Sequence, residues 1–356
     1  MIRVSVVVLT LATAAAHAQW SAVTLNPTGA SMAGTRSVAG GRQGGWALLG
    51  GIGRATLWNG AANPTISLHP TGAVGGSIVL GMSGTQQVGS ATFNGDAETL
   101  PHAGLWSGTA ASWVDLNPAG IDGSAANATN GTQQAGHTYV GYSPRAALWS
   151  GTAASWVSLH PTGARESSVE DIDGSKQVGY VAASNGVYHA ALWSGTAASW
   201  TSLNPVGATG GEAHGVYGTQ QVGRVIVGGE SRASLWTGSA ASWVNLNPAG
   251  AVRSEALDIF GGYQVGHVST GGAWRAGLWS GTAASWEDLS LVLPGSWTSS
   301  HAHCVWTDGS TLYVGGYGER TGSTNSVALL WTKPIPTPGT LAALGLGTFV
   351  ATRRRR

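Results

Sequence analysis

The sequence predicts an all-β fold, a seven-bladed β-propeller made of four-stranded repeats of about 43 residues. Three observations predict it. A tryptophan-anchored unit returns at a nearly constant step, strand-like runs are bounded by glycine, serine and proline, and the two chain ends each supply part of one missing repeat. The string LWSGTAASW occurs unchanged at 105–113, 148–156, 192–200 and 278–286, with LWTGSAASW at 235–243 and LWNGAANPT at 57–65. Its first tryptophan falls at Trp58, Trp106, Trp149, Trp193, Trp236, Trp279 and Trp331, in steps of 48, 43, 44, 43, 43 and 52 residues. A period of about 40–45 residues is that of a propeller blade and exceeds any β-helix coil.

One repeat reads as four strands: EAHGVYG, QQVGRVIV, RASLWTG and SWVNLNP, between Glu212 and Pro248. Each is short, rich in Val, Leu, Trp and Tyr, and closed by turn residues. Apolar residues occupy adjacent as well as alternate positions, as expected for a small sheet covered on both faces by its neighbours. The SGTAAS loop is a hairpin between strands three and four, which sets pairs such as Trp193 and Trp200 opposite each other. Between repeats stand Asn26-Pro27-Thr28-Gly29, His69-Pro70-Thr71-Gly72 and four further copies of that pattern. Proline second and glycine fourth predict a type I turn.

The ends close the circle. A lone fourth strand, Ala22 to Asn26, opens the array, and a third strand without a fourth, Ser326 to Trp331, ends it. Pairing them completes blade seven and leaves no full sheet edge open. A solenoid would need capping repeats, and none is seen.

Charged residues are only 9% of the chain, so its polar surface is mostly hydroxyl and amide. Residues 1–18 read as a secretory signal peptide: a charged start at Arg3, an apolar run, and the small-x-small step Ala16-His17-Ala18. The chain ends in a Pro-rich step, an apolar stretch from Leu341 to Ala351 and the cluster Arg353, Arg354, Arg355 and Arg356. Removing Arg3 and those four arginines from 17 basic residues leaves 12 against 16 acidic ones, a formal net charge of −4. A mildly acidic body without a basic stripe argues against nucleic acid as a partner. Cys304, the one cysteine, has no internal disulfide partner.

The C-terminal order of parts resembles the PEP-CTERM sorting signal of Gram-negative bacteria, in which a Pro-Glu-Pro motif, a short membrane segment and an Arg cluster are read by an exosortase. Here the motif is Pro336-Thr337-Pro338, without the Glu. The resemblance implies a domain plan of signal peptide 1–18, propeller 19–332 and sorting tail 333–356 with a short transmembrane segment. It also implies an exosortase-like peptidase as partner, transient inner-membrane association, and a cell-surface or extracellular destination. An uncleaved tail anchor is the other reading of the same segment. The repeat itself resembles the HAF repeat of bacterial extracellular proteins, through HAGLW at 102–106, HAALW at 189–193 and QVG at 87–89, 177–179, 221–223 and 264–266. That resemblance implies a surface or secreted protein and carries over no catalytic residues.

No nucleophile elbow, phosphate loop, H-E-x-x-H pair or spaced Cys/His set occurs, so the sequence assigns no catalytic, cofactor or metal residues. Glu170, Asp171 and Asp173 cluster before Gly174, and read as a solvated turn more readily than as a cation site. His301 and His303 alternate on one predicted strand with Cys304 beside them, and read as structural. One polar position recurs four residues before the anchoring tryptophan: Arg54, His102, Arg145, His189, Arg232 and Arg275, with Val327 in the seventh copy. Equivalent positions of a closed array form a ring. This ring is a candidate surface for an acidic exopolysaccharide, or a set of stems packed on tryptophan with heads bonded to the next blade. The expected function is therefore an exported, non-catalytic surface or matrix repeat protein. A polysaccharide hydrolase or lyase with its site in the channel is the alternative.

Overall fold

The computed structural model describes residues 19–60, 65–93 and 100–336. Within them the chain forms seven four-stranded antiparallel sheets, each with its strands in sequence order, arranged as a ring. Blade 5 is typical, with strands Gly210–Tyr217, Gln220–Val227, Glu230–Trp236 and Val244–Asn245. Blade 7 combines Trp297–Thr307, Thr311–Arg320 and Ser326–Pro334 with the N-terminal Ser21–Thr24, in the register Ser21↔Thr332 to Thr24↔Leu329. The predicted closure is therefore present. The last strand runs two residues past the expected end of the propeller at 332, and the Ile335 N–H donates to Ser310 O at 2.7 Å. The signal segment, Thr337, Pro338, the Leu341–Ala351 stretch and Arg353–Arg356 lie outside the described residues. Among the described residues no helix is long and apolar enough to cross a membrane.

All seven anchoring tryptophans are buried, each in the cluster between its own blade and a neighbour. Burying an indole there stabilises the ring through contact with two sheets at once. The glutamine repeated near the start of the second strands is also explained. Gln43, Gln87, Gln134, Gln177, Gln221 and Gln264 are buried, and each accepts the loop N–H of Gly60, Gly108, Gly151, Gly195, Gly238 or Gly281 at 2.7–3.0 Å.

Two local expectations change. The fourth strand is only two residues long in blades 1 to 6; in blades 2 to 6 the SGTAAS or TGSAAS loop folds into a single 3₁₀ turn and uses up the residues assigned to strand. Ring stacking across that loop is direct at Trp106 and Trp113, 4.7 Å between centroids. Trp200 meets His189 instead. The connector turn begins at proline, one residue later than expected. Ala30 N–H donates to Pro27 O, and the other five copies repeat the bond at 3.1–3.2 Å. Gly29, at the third place of that turn, has φ +82°, which makes the turn type II and not type I. The preceding Asn or His is left free to bond elsewhere. Asn117 Oδ1 accepts from Ser124 Oγ at 2.7 Å, and Ser124 Oγ accepts the Ala103 N–H at 3.0 Å. In blade 5 glycine replaces that serine, and Asn204 Oδ1 takes the Ala190 N–H directly at 2.9 Å.

The up-and-down order of strands fixes two ends to the ring. One end carries the connectors and the turns between strands two and three. The other carries the SGTAAS loops and the turns between strands one and two.

Candidate functional site

Every inner strand breaks register at an equivalent place, between Thr35/Ser37, Val79/Gly81, Ala126/Ala128, Val169/Asp171, Ala213/Gly215, Ala256/Asp258 and Ala302/Cys304, and blade 7 adds a second break between Trp297 and Ser299. A β-bulge re-aims the extra residue. Here the extra residues are Arg36, Leu80, Asn127, Glu170, His214, Leu257 and His303, and all seven line a central channel of about 520 Å³. The facing second-strand glycine permits the bulge. A Cβ on Gly223 would collide with Glu212 O, and the same kind of clash holds at Gly45, Gly89, Gly136, Gly179, Gly266 and Gly316.

Toward the connector end lies a second ring of cross-strand pairs: Gly34 with Trp46, Ile78 with Ser90, Ala125 with His137, Ser168 with Tyr180, Glu212 with Arg224, Glu255 with His267, and His301 with Tyr317. The repeats that are nearly identical around the tryptophan thus differ at every blade around the channel mouth. The polar and aromatic members gather on blades 4 to 7 and on the adjoining edge of blade 1.

Bonding within this sector is dense. Arg224 donates from Nη2 to Glu212 Oε1 at 3.0 Å and from Nη1 to Glu255 Oε1 at 3.1 Å, so one guanidinium holds two carboxylates on neighbouring blades. Those contacts hold the Arg224 pKa above its ordinary value despite burial. His301 and His303 both stack on Tyr317, at 4.9 and 5.3 Å, while His267 meets His301 and Trp274 edge-on at 4.7 and 4.5 Å. Burial pushes His267 down to about 3 and His301 and His137 down to about 4, so these rings are neutral at pH 7. Burial also raises Glu170, against a hydrogen bond from Ser168 and the nearby His214, and Glu212 raises it further. His301 and His303, which the sequence suggests are structural, therefore belong to the channel mouth.

The acidic cluster divides. Glu170 faces the channel. Asp171 accepts the backbone N–H groups of Ile172 and Val216, both at 2.8 Å, and Asp173 accepts that of Gly218 at 2.6 Å. The two aspartates staple blade 4 to blade 5, Asp171 from within the strand and Asp173 from the head of the exposed turn at Gly174. Asp258 repeats the staple from blade 6 to Val305 of blade 7 at 2.8 Å. Among the described residues no group of three potential ligands fits a metal ion.

The candidate ring of Arg54, His102, Arg145, His189, Arg232 and Arg275 lies on the third strands of six blades, outside the channel wall. Four of its members have local partners. His102 Nδ1 is 2.8 Å from Asp115, and His189 Nδ1 is 3.3 Å from Ser202. Arg232 donates to Val252 O at 2.8 Å, and Arg275 donates to Ser290 at 3.1 Å beside Asp288. Arg54 and Arg145 depress the pKa values of His69 and His160, which burial already lowers.

No protein-family model and no curated protein matches this chain. Solved structures share its fold. A puromycin hydrolase matches at 11% identity and TM-score 0.53, over 83% of this chain and 52% of that one. The β-propeller domain of the Trilobed protease from Pyrococcus furiosus matches at 9% and 0.55, over 86% and 98%. Pyrococcus horikoshii acylaminoacyl peptidase matches at 11% and 0.54, over 90% and 55%. The chain spans about half the length of the hydrolase and the acylaminoacyl peptidase. The Pyrococcus furiosus domain is described as having an open velcro topology, whereas this ring is closed by its N-terminal strand.

Proposed function

We propose that the chain is an exported, non-catalytic surface or matrix protein that binds a carbohydrate polymer at the connector-end mouth of its channel. One observation carries this reading: repeats that are nearly identical at the scaffold diverge in two rings around that mouth, which gives one asymmetric polar and aromatic site. Aromatic faces such as Trp46, Tyr180 and Trp274 offer flat apolar surface for the C–H side of a sugar ring, and Tyr317 holds His301 and His303 in place beside them. The Glu212–Arg224–Glu255 bridge and the neutral histidines offer fixed donors and acceptors for its hydroxyls. Export is supported by the sequence of residues 1–18, and surface delivery by the resemblance of the tail to exosortase substrates. The experiment is affinity electrophoresis against alginate, polygalacturonate and hydroxyethylcellulose, with Arg224→Ala and Tyr317→Ala as variants. Retardation of the wild type that either variant abolishes, with the fold intact, supports the site; no retardation by any polymer rejects it. Epitope-tagged chain should also lose its Arg-rich end and leave the inner membrane.

A second reading has its own observation. Glu170, whose carboxyl is held protonated to higher pH by burial, lies beside Glu212, which Arg224 keeps paired. An acid whose proton is held more tightly by burial, next to a carboxylate bonded to arginine, is the arrangement a glycan hydrolase or lyase requires. Reducing sugar or unsaturated product released from the same polymers, and lost in Glu170→Gln, would establish it.

A further inference from the structure

We infer that Arg36 is the receptor for a carboxylate on the bound polymer, so that the mouth selects acidic sugars; this rests on the carbohydrate-binding reading above. Arg36 is the bulge residue of blade 1, and it lines both the channel and a second hollow of about 460 Å³ on the connector end. Its side chain is largely buried, yet among the described residues no acid pairs with it. Its partner is His303, 3.2 Å from Nη1 to Nδ1. Arginine only donates, so His303 accepts through Nδ1 and stays neutral. The buried Arg36 Nε has no hydrogen-bond partner.

The groups facing Arg36 from the neighbouring strands are His301, His303, Tyr317 and Cys304. The acids of the mouth lie on other blades, and two of them are already held by Arg224. Buried charges are as a rule paired, so an anion brought by a ligand would meet in Arg36 a guanidinium that no acid among the described residues holds. The rest of the hollow is shaped for a ring. Gly34 leaves room for the Trp46 indole, whose Nε1 lies 3.1 Å from where a Cβ would sit. Trp46, Ile78 and Pro101 form its apolar side, with Ser77, Ser90 and Thr92 supplying hydroxyls. A uronate seated there would lay its ring on Trp46 and present its carboxylate to the Arg36 guanidinium as a charge-assisted contact.

The test compares wild type with Arg36→Gln and Arg36→Met on alginate, polygalacturonate, carboxyl-reduced polygalacturonate and hydroxyethylcellulose, with melting temperatures recorded alongside. The expected result is at least a roughly tenfold loss of affinity for the two carboxylated polymers in both variants, the size of one charge-assisted contact. Wild type should bind the carboxyl-reduced polymer as weakly as the variants bind its parent. The melting temperature should be unchanged or higher, because an unpaired buried charge has been removed. Equal affinity of wild type for the parent and reduced polymers, or a collapse of melting temperature in Arg36→Met, would overturn the inference and leave the mouth as a neutral-sugar site. Displacement of bound polymer by inorganic phosphate as effectively as by free glucuronate would also overturn it, in favour of a free-anion site. Absence of binding to every polymer would reject the carbohydrate reading itself.

Discussion

The outer half of each blade and its inner strand solve opposite problems. In blades 2 to 6 the third strand, the SGTAAS-type loop and the short fourth strand are repeated almost letter for letter, because these copies supply the same parts to the scaffold. Those parts are a buried tryptophan, a glutamine clamp on the loop and a type II connector. The inner strands keep only what the bulge demands, a glycine opposite it and small apolar neighbours. They vary freely where side chains reach the channel. In a near-perfect repeat array, variation that clusters in space marks the place where the copies have stopped being interchangeable.

The sharpest way to break this contrast is to spoil the bulge. Gly223→Ala should drive a Cβ into the Glu212 carbonyl and cost about 4 kcal/mol or more, because the obstacle is backbone. A folded, fully stable Gly223→Ala protein by denaturant titration would mean that the bulge ring is not fixed by glycine. On the scaffold side, Trp236→Ala empties a fully buried site and should cost about 3–5 kcal/mol in the same assay, without altering ligand selectivity in the folded fraction.

Acid should separate the regions next. His137, His267, His301 and His303 are held below about 6.5 by burial, so the unfolded chain takes up protons that the fold refuses. Their contribution is complete above that pH and is lost as pH falls toward about 4. Asp171 and Asp258, raised to about 7 and about 6 by burial, and Glu170, which burial also raises, act in the opposite sense and gain on acidification. The histidines outnumber them. The melting temperature should therefore drop by roughly 5–10 °C between about pH 7 and pH 4.5. A rise over that interval would show that the mouth is open to water and not buried.

Much of the outer half is legible in the sequence, because its signals are local. The tryptophan step, the glycine and proline punctuation and the lone strands at either end are enough to derive the ring and its closure. The turn type is not legible from composition, since Asn in the first place also suits a type I turn. Only the bond from Ser124 to Asn117 reveals what that side chain does. The channel site is hardly legible at all. Its residues stand roughly one 40-residue repeat apart in chain order, and Arg36 meets His303 across the closure. The usable signal is the second-strand glycine two places after the repeated glutamine: aligning repeats on it places Arg36, Glu170 and His214 in one column, while the longer first hairpin of blade 7 shifts His303 out of it. His301 and His303 are visible as a pair, but their company is not.

Smaller effects test the margins of the comparison. Changing Arg145, Arg232 and Arg275 together to Gln should leave retention on acidic polymer nearly intact if the mouth dominates; strong loss with an unchanged melting temperature would move binding to the outer ring. At the closure, Glu287 accepts from Trp20 at 2.7 Å and from Lys333 at 2.9 Å, joining both chain ends to blade 6. Glu287→Ala should cost about 0.5–1 kcal/mol at this part-exposed site and raise amide exchange first in the N-terminal strand.

The central claim, that function resides where the repeats diverge, is tested most directly by hydrogen–deuterium exchange with and without an alginate oligosaccharide. The account predicts slowed exchange in the segments around 34–36, 210–214, 253–257 and 299–303, with none in the loops at 107–112, 150–155 and 237–242. Protection spread evenly over all seven blades, or confined to the loop end, would contradict it.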